Sequence, residues 1–537
     1  MNGSQLLVEC LRDAGVRTVF GMPGGHTAGI YDALREQSEI RHILFRNENA
    51  GAMMADAYSR ASGRPGVCLV AAGPGLTNST TGLGTAYVDS VPMLAISGQI
   101  PRSAIGANRG YFHEMDATAL TASLTKWNAT ARSADEIPAL VQRAFQEMSS
   151  GRPRPVHLDL PVDVLAEATS ADPLASAPLE KPAPTQAESE QAAQLLGTAK
   201  RPLIIAGGGV VSANAGEQLL ELADRLGAPI LLTPMGQGSV PADHPQVAGS
   251  LFRAITSDLS GMQQHLSALP EHADCVLAVG CRFSQLATGN WALRLPETLI
   301  QIDIDPEELG RNYPVALGIC ADAGVAVSGV LEALEGNHGG VAASEWDQLR
   351  ASLPAPSRWK IDGFDIAPVL RRVLDRDAII ACDVTRLYYM LLANFPVYEP
   401  RTLLHPSCFI TLGYGIPAAV GAKAAHPDRQ VVSVCGDGGF LMTAQELACA
   451  VQEDLRIVTV LINDDCLSAI KGIQNRTYGG RHMAVDLVNP DFMKLAEAYG
   501  VRGTRVTQME QFEPALCEAL AADRSTLIEV QAPQTAM

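Results

Sequence analysis

The sequence lacks the features that mark membrane, secreted and nucleic-acid-binding proteins. No uncharged apolar run approaches the roughly 18 residues needed to cross a bilayer. The N-terminal segment, MNGSQLLVECLRDAG, has neither the basic nor the apolar region of a signal peptide. Lysine and arginine number 40 against 58 aspartates and glutamates, which gives a net charge of -18. Nucleic acids and anionic membranes need concentrated positive charge, so the sequence argues against both as partners.

The 11 cysteines form no CxxC pair and no spacing typical of metal ligands. They are scattered from Cys10 to Cys517, which is typical of reduced, mostly buried thiols and predicts a cytoplasmic location. A short-period repeat is also absent, so a solenoid or propeller is not expected. The expected partner is a small molecule.

What the sequence contains is an alternation of short β-rich runs and helical stretches. This pattern predicts an α/β protein made of three parallel-sheet α/β domains in series. The domains are predicted at residues 1–165, 188–337 and 361–537. A Pro-, Ala- and Ser-rich linker separates the first two, and an irregular stretch, EGNHGGVAASEWDQLRASLPAPSRW, precedes the third.

The strongest chemical signal lies in the third domain, where VVSVCGDGGF ends one strand and IVTVLINDDC ends the next. A helical stretch joins them, so the two strands form a βαβ unit whose carboxyl ends face one crevice. Asp437 and Asp464 can then converge on a hard cation such as Mg²⁺, and Gly436, Gly438 and Gly439 let a phosphate group approach the backbone. The alternative is a plain strand-to-helix turn with Asp437 as its N-cap. The second acidic cluster favours the cation site.

The GDG motif followed about 27 residues later by an Asn-containing turn resembles the signature of thiamine diphosphate enzymes. The resemblance implies that Asp437, Asp464 and the backbone carbonyl of Cys466 bind Mg²⁺. The family usually has Asn where this chain has Asp464. Other implied cofactor contacts in this domain are Thr385, Arg386, Thr411, Leu412, Gly436, Gly438, Gly439, Leu467 and Ser468, with Leu412 as the apolar wedge that bends the cofactor.

The first domain carries the second half of the resemblance, in HILFRNENAGAMMADAYSRASGRPGV. A predicted strand ends at Glu48, where the family has a catalytic Glu that hydrogen-bonds the aminopyrimidine ring and activates the cofactor. Pro74 and Asn78, in GPGLTN, are further implied cofactor contacts. The alternative for Glu48 is an exposed acid at a helix N-terminus, stabilised by the helix dipole.

Ordered matches to the acetolactate synthase group extend over nearly the whole chain: VFGMPGG, GPGLTN, LAISGQIPR, GRPRPVHLDLPVDV, ADCVLAVGCRF, IQIDIDP and TLGYGIPAAVGAK. They imply a pyrimidine-binding, a central nucleotide-fold and a diphosphate-binding domain. They also imply a homodimer or homotetramer with active sites between subunits. Acetolactate synthases hold FAD in the central domain, so FAD is a candidate cofactor.

Several positions bear on the type of reaction. Gln99, Phe112 and Lys126 agree with acetolactate synthases, whereas Thr385-Arg386-Leu387 replaces their Gly-Gln-His and Ile473 replaces a Trp that selects the second oxo acid. Phe112 and Ile473 are therefore expected in the substrate pocket, and Gln99 is a catalytic candidate.

His26, in GMPGGHTAGIYDAL, lies where benzaldehyde lyase-like and guanidino-oxopentanoate decarboxylase-like members also have His. An imidazole there can shuttle protons near neutral pH, although a loop His bonded to backbone is the alternative. Gly25 and His26 are expected to line the substrate pocket, and His113 is a second catalytic candidate.

The segments CDVTRLYY, LLHPSCFITLGYGIPA and RNYPVALGICADA resemble those of guanidino-oxopentanoate decarboxylases. The resemblance thus favours thiamine diphosphate- and Mg²⁺-dependent decarboxylation of a 2-oxo acid through an enamine intermediate. Two alternatives stay open. One is an acetolactate synthase-type carboligase, which transfers the two-carbon unit to a second carbonyl compound. The other is a non-catalytic nucleotide- or flavin-binding module, suggested by the glycines at 207–209 after RPLIIA.

Overall fold

A computed structural model describes residues 1–175, 179–252, 268–334, 339–352 and 365–534. These residues form three six-stranded sheets with helices between the strands. All the strand pairs in the three sheets are parallel, which confirms the predicted fold class. Within the described ranges, no helix is both long and apolar enough to cross a bilayer.

The first sheet has the strand order β2-β1-β3-β4-β6-β5. Its strands are β1 (Thr18–Gly21), β2 (Arg41–Leu44), β3 (Gly66–Val70), β4 (Met93–Gln99), β5 (Trp127–Thr130) and β6 (Val156–Pro161). The helices around it are α1 (Gly3–Asp13), α2 (Ala28–Glu36), α3 (Glu48–Ser62), α4 (Pro74–Asn78), α5 (Thr80–Asp89), α6 (Ala117–Thr121), α7 (Ile137–Ser149) and α8 (Val162–Ala166). Because β1 lies between β2 and β3, the chain order reverses at β1, and the loops after β1 and β3 border a crevice.

The central sheet has the order β12-β11-β10-β7-β8-β9, with its reversal between β7 and β10. Its strands are β7 (Pro202–Ala206), β8 (Ile230–Leu232), β9 (Val247–Ser250), β10 (Cys275–Val279), β11 (Leu299–Asp303) and β12 (Leu317–Cys320). Its helices are α9 (Gln186–Thr198), α10 (Gly208–Ala213), α11 (Gly216–Leu226), α12 (Leu269–His272), α13 (Ala323–Ala333) and α14 (Gly339–Ser352).

Helix α14 lies in the stretch that the sequence pattern marks as irregular. Its first residues are Gly-Gly, a poor helix signal, and tertiary contact explains the helix instead. Trp346 is buried on the central domain, where its indole N–H donates to the carbonyl of Pro202 at 3.0 Å.

The third sheet has the order β14-β13-β15-β16-β18-β17, which repeats the topology of the first sheet. Its strands are β13 (Ile379–Cys382), β14 (Leu403–Leu404), β15 (Val431–Gly436), β16 (Val458–Asn463), β17 (Arg502–Val506) and β18 (Thr526–Gln531). Its helices are α15 (Ile366–Val373), α16 (Arg386–Asn394), α17 (Gly415–Ala425), α18 (Asp437–Thr443), α19 (Glu446–Gln452), α20 (Ser468–Tyr478), α21 (Phe492–Ala498) and α22 (Phe512–Leu520). The predicted start of this domain, at residue 361, lies outside the described residues.

The first and third domains share one hydrophobic core, in which α3 packs against α17. Small residues allow the two helices to approach closely. A Cβ added to Gly421 of α17 would lie 2.2 Å from the carbonyl oxygen of Met54 in α3. The helix that begins at Glu48 is therefore fixed by the third domain of the same chain.

Candidate functional site

The carboxyl edge of the first sheet brings four of the predicted site residues together. Strands β2, β1, β3 and β4 are neighbours, and Glu48, His26, Asn78 and Gln99 follow or end them in that order. The Asn78 side-chain amide donates to Glu48 Oε2 at 3.0 Å. Glu48 is half-buried at the start of α3, so one carboxylate oxygen is held by Asn78 and the other can bind a ligand.

His26 and His113 lie against each other at this edge, with ring centroids 5.3 Å apart. His26 Nδ1 is buried and has no hydrogen-bond partner in the described part of the chain. Burial lowers the pKa of His26, and the neighbouring His113 lowers it further. A Cβ on Gly25 would meet nothing within 4 Å, so the loop leaves open space at the residue before His26. Imidazoles at such a position can exchange a proton with a bound ligand.

Gln99 is turned away from Glu48. Its amide nitrogen donates to Asp159 at 3.0 Å and to the Met115 carbonyl at 3.4 Å, and its oxygen accepts from Ile100 N at 2.9 Å. Both polar atoms of this buried side chain are thus used inside the domain. Lys126 is likewise occupied, donating to the carbonyls of Glu147 and Ser150 at the C-terminal end of α7.

The carboxyl edge of the third sheet gathers the second set of predicted residues. Strands β13, β15 and β16 are neighbours, and Arg386, Asp437 and Asp464 follow them. Burial raises the pKa of Asp437 to about 6, and the negative charge of Asp464 adds to the rise. Two buried carboxylates at one edge form an anionic site that a cation would stabilise.

The donor set suits Mg²⁺ bound together with a diphosphate. Within the described residues, no three His, Cys, Asp or Glu side chains converge on one point, so the protein alone forms no complete metal cage. Mg²⁺ is usually held by one or two carboxylates plus phosphate oxygens, and Asp437 and Asp464 supply the carboxylates. Asn489 donates to Asp437 Oδ2 at 2.8 Å, while its own Oδ1 is buried without a partner in the described chain.

Two glycines of the GDGG turn pack closely against neighbouring side chains. A Cβ on Gly438 would lie 2.7 Å from Leu467 Cδ2, and one on Gly439 would lie 2.7 Å from Asp383 Oδ2. Thr385 packs against Gly436, whose added Cβ would lie 3.5 Å from the Thr385 side chain. The turn therefore presents bare backbone at this edge, as a phosphate cradle requires.

Asp383, which the sequence patterns did not single out, positions the loop that carries Leu412. Its buried carboxylate accepts from Val384 N at 2.7 Å and from Gly413 N at 3.0 Å, and burial raises its pKa to about 6. Gly413 has a φ of 78°, which favours glycine. Leu412 is held at the surface, 38% exposed. The signal was available, because Asp383 ends the apolar run DAIIACDV just as Asp437 ends VVSVCGD.

The remaining predicted residues lie on or beside these edges. Ser468 begins α20 and donates to Asp464 Oδ2, the Cys466 thiol lies 3.1 Å from Ser468 Oγ, and Thr411 Oγ1 donates to the Leu412 carbonyl. Ile473 is half-buried on α20. Pro74 is exposed at the start of α4, and Phe112 is 89% exposed in the loop before α6.

The contacts of the two edges within the described residues are separate. No hydrogen bond or ion pair between described side chains joins Glu48 or His26 to Asp437, Asp464 or Arg386. We call these two groups of residues half-sites.

The central domain borders a cavity of about 1000 Å³ shared with the other two domains. It lies at the carboxyl ends of β7 and β10, the reversal point of the central sheet. A Cβ on Gly209 would lie 2.5 Å from Gly280 Cα, so only glycines permit this meeting of loops. Asp303, whose pKa burial raises to about 6, and Arg282 line the cavity. Its size and charge suit a nucleotide-sized ligand.

Comparison with known proteins identifies three family models along the chain. Residues 1–120 match the N-terminal TPP binding domain of thiamine pyrophosphate enzymes, residues 189–334 match the central domain, and residues 383–530 match the C-terminal TPP binding domain.

Relatives match almost end to end. A probable 2-ketoarginine decarboxylase of Pseudomonas aeruginosa is 38% identical over 99% of this chain and 94% of its own length. A probable acetolactate synthase large subunit of Methanocaldococcus jannaschii is 36% identical over 99% and 92%, respectively. The acetolactate synthase isozyme 3 large subunit of Escherichia coli is 34% identical over 98% and 93%.

Proposed function

Because this chain belongs to the thiamine pyrophosphate (thiamine diphosphate) enzyme family, we propose that it decarboxylates a 2-oxo acid with thiamine diphosphate and Mg²⁺. The observation that carries the proposal is the pair of half-sites. Glu48 held by Asn78 stands at one sheet edge, and Asp437 with Asp464 stands at the other. The first would bind the aminopyrimidine ring, and the second would bind the diphosphate through Mg²⁺.

Bound thiamine diphosphate would supply a nucleophilic carbon that adds to the 2-oxo group and accepts the electron pair released with CO₂. Glu48 would hydrogen-bond the aminopyrimidine ring with the carboxylate oxygen that Asn78 leaves free. His26 would hold or release a proton at Nδ1, its unpartnered atom, and its low pKa keeps the ring neutral near pH 7. Leu412 would pack against the cofactor on the loop that Asp383 holds.

We further propose a homodimer or homotetramer in which the first domain of one subunit faces the third domain of another. Exposed apolar side chains near the two half-sites support this arrangement, namely Phe112, Phe409, Leu412 and Met442. Apolar side chains grouped on a surface are typical of an interface. Light scattering coupled to size exclusion tests it, and a monomer that turns over substrate would contradict it.

The substrate is proposed to be a 2-oxo acid of the 2-ketoarginine type. The P. aeruginosa relative named a 2-ketoarginine decarboxylase supports this choice, as does Ile473 in place of the Trp that selects a second oxo acid in synthases. The test measures CO₂ release and products from pyruvate, 2-oxobutyrate, benzoylformate and 5-guanidino-2-oxopentanoate. We expect cofactor-dependent CO₂ release and an aldehyde product.

A Glu48→Gln variant is expected to lose most of this turnover because the neutral Gln amide does not carry the negative charge of the carboxylate. Glu36→Gln, an exposed change at the end of α2, is the matched control and should retain activity. Turnover in Glu48→Gln equal to the control would refute the assigned role. No binding of thiamine diphosphate by the unmodified protein would refute the function itself.

A carboligase of the acetolactate synthase type is the second candidate, favoured by relatives that carry this name at 34–36% identity. It predicts acetolactate from pyruvate in the same assay. Lack of an aldehyde from every acid, together with acetolactate from pyruvate, would select it.

We also propose that the central cavity binds a flavin or another adenine-containing nucleotide. The glycine-lined loops at its reversal point and its volume of about 1000 Å³ support this. Absorbance near 450 nm in the purified protein would identify FAD. A colourless protein that also fails to bind ADP in calorimetry would contradict the proposal and exclude the non-catalytic nucleotide-binding module.

A further inference from the structure

Arg386 and Asp464 face each other across the GDGG turn. Arg386 is the first residue of α16, directly after the loop that follows β13, and Asp464 follows β16. Strand β15 lies between these two strands, so the pair reaches over the end of β15 at Gly436 and Asp437. Arg386 Nη1 lies 3.6 Å from Asp464 Oδ2. The pair therefore lies at the same sheet edge as the turn that would receive a diphosphate.

The contact with Asp464 leaves Nη1 of Arg386 without a hydrogen-bond acceptor in the described chain. The side chain of Arg386 is only 13% exposed and that of Asp464 only 6%. At 3.6 Å the two groups attract but form no hydrogen bond, and Nη1 is a buried atom without a hydrogen-bond partner in the described chain. A buried N–H without an acceptor is costly, which points to an acceptor supplied by a ligand.

Asp464 has the complementary geometry. Within the described chain, Asp464 contacts Ser468 Oγ and Arg386, and both contacts use Oδ2. Oδ1 is therefore left for a metal ion, and one carboxylate can serve both the ion and the guanidinium. This explains why an aspartate is useful here, since a neutral amide would not attract Arg386.

The charge balance at this edge favours a second cation. One Mg²⁺ is neutralised by Asp437 and Asp464, and a diphosphate adds further negative charge. Lys471, a second cation near Asp464, is already bonded to Asp486 at 2.6 Å and to Gln534 at 3.1 Å. Arg386 Nη1, in contrast, has no hydrogen-bond acceptor among the described residues.

We propose that Arg386 binds the cofactor's diphosphate through Nη1 and that Asp464 holds its guanidinium in place while binding Mg²⁺. The inference rests on the proposed function and adds a phosphate ligand and its positioning residue. Charge-assisted hydrogen bonds from Arg to phosphate oxygens are among the strongest in proteins. Loss of the Arg386 bond should therefore lower the measured affinity for thiamine diphosphate.

The test measures thiamine diphosphate affinity of the full-length protein by calorimetry in Mg²⁺, without substrate. Arg386→Gln is expected to weaken binding at least tenfold. Arg386→Lys should weaken it by less, because Lys keeps the positive charge but lacks the planar, multi-donor guanidinium. Competition by Mg-pyrophosphate should weaken in parallel, whereas affinity for thiamine, which has no phosphate, should not change. The control is Arg372→Gln, which removes an exposed arginine that pairs with Glu513 on α22, and it should bind like the unmodified protein.

The pairing is tested by a double-mutant cycle. In an Asp464→Asn background, Arg386→Gln should cost less than it does alone, because the guanidinium is no longer positioned. Unchanged diphosphate affinity in both Arg386 variants would overturn the inference, as would a rise in substrate KM alone, which would make Arg386 a substrate ligand. Failure of the unmodified protein to bind thiamine diphosphate would overturn the proposed function instead.

Discussion

The carboxylate of Glu446 accepts the backbone N–H of Arg46, at 3.2 and 3.1 Å to its two oxygens, two residues before Glu48. Glu446 begins α19 in the third domain and is fully buried. Glu453, just after α19, also accepts from Leu44 N at 3.3 Å. The end of β2 is thus tied to α19, and the position of Glu48 depends on the third domain of its own chain.

Glu446 should make stability depend on pH. Burial raises its pKa from 4.5 to about 7, so between these values the folded protein holds a proton that the unfolded chain releases. The contribution of this carboxyl group to stability is therefore full below pH 4.5 and is lost as the pH rises to about 7. The loss is about 3 kcal/mol, since one pKa unit corresponds to about 1.4 kcal/mol.

Glu446→Gln removes this titration. Calorimetric unfolding from pH 4.5 to 7.5 should show the unmodified protein losing stability relative to the variant as the pH rises. Glu497→Gln, an exposed change on α21, should follow the unmodified protein throughout. Parallel curves for the Glu446 variant would show that its carboxyl group does not titrate in this range.

A buried ion-pair network joins the first and third domains around Arg60. The guanidinium of Arg60 donates to Asp56 at 2.7 Å and to Asp89 at 3.0 Å. Asp89 also accepts from Ser407 N at 2.7 Å and from Cys408 N at 3.0 Å, which fixes the chain that leads to Leu412.

Asp89→Ala should lower stability by about 3–5 kcal/mol, because it removes one of the two carboxylates that pair with a buried guanidinium and leaves two backbone donors without their acceptor. A fall in the calorimetric unfolding temperature is the measurement. Glu513→Ala, which breaks an exposed pair with Arg372, should lower the unfolding temperature much less, because exposed ion pairs contribute little to stability. Equal effects of the two variants would mean that the Asp89 network contributes no more than a surface pair.

The fold and the ends of its strands follow from local patterns. Buried parallel strands appear in the sequence as continuous apolar runs, and the residues that follow such a run lie at the carboxyl edge of the sheet. Glu48, Asp437 and Asp464 could therefore be placed at sheet edges from the sequence. Sheet order then decides which of these ends are neighbours. Asp383 had the same signal as Asp437 and was not recognised.

Other features depend on contacts that no local pattern encodes. Asn489 reaches Asp437 from a loop about 50 residues further along the chain, and Glu446 acts through the backbone of a different domain. Gln99 ends β4 at the correct edge, yet Asp159 and Met115 draw its amide into the domain. A position at an edge could be predicted, but the direction of a side chain is decided by its partners.

Gly439→Ala should disturb the turn through Asp383. The added Cβ would lie 2.7 Å from Asp383 Oδ2, and that carboxylate cannot move without losing its bonds to Val384 N and Gly413 N. We expect a lower unfolding temperature and weaker thiamine diphosphate binding. Gly25→Ala is the control for stability, because its Cβ would meet nothing within 4 Å. Normal cofactor affinity in Gly439→Ala would show that Asp383 can relax.

His113→Gln should raise the pKa of His26. Burial is the larger cause of the low pKa of His26 and the charge of His113 is the smaller one, so the variant should move the pKa upward without reaching the ordinary value of 6.5. Isotope-edited NMR of selectively labelled histidines measures the titration, and His272→Gln, at an exposed position on α12, should leave it unchanged.

The direction of this shift separates two roles for His113. A rise in the pKa of His26 means that His113 disfavours a proton on His26, so that His113 keeps His26 neutral and able to accept a proton from a ligand. A fall would mean that the His113 ring accepts a hydrogen bond from protonated His26 and stabilises it. His26 would then act as a proton donor toward the ligand, with His113 as its hydrogen-bond partner.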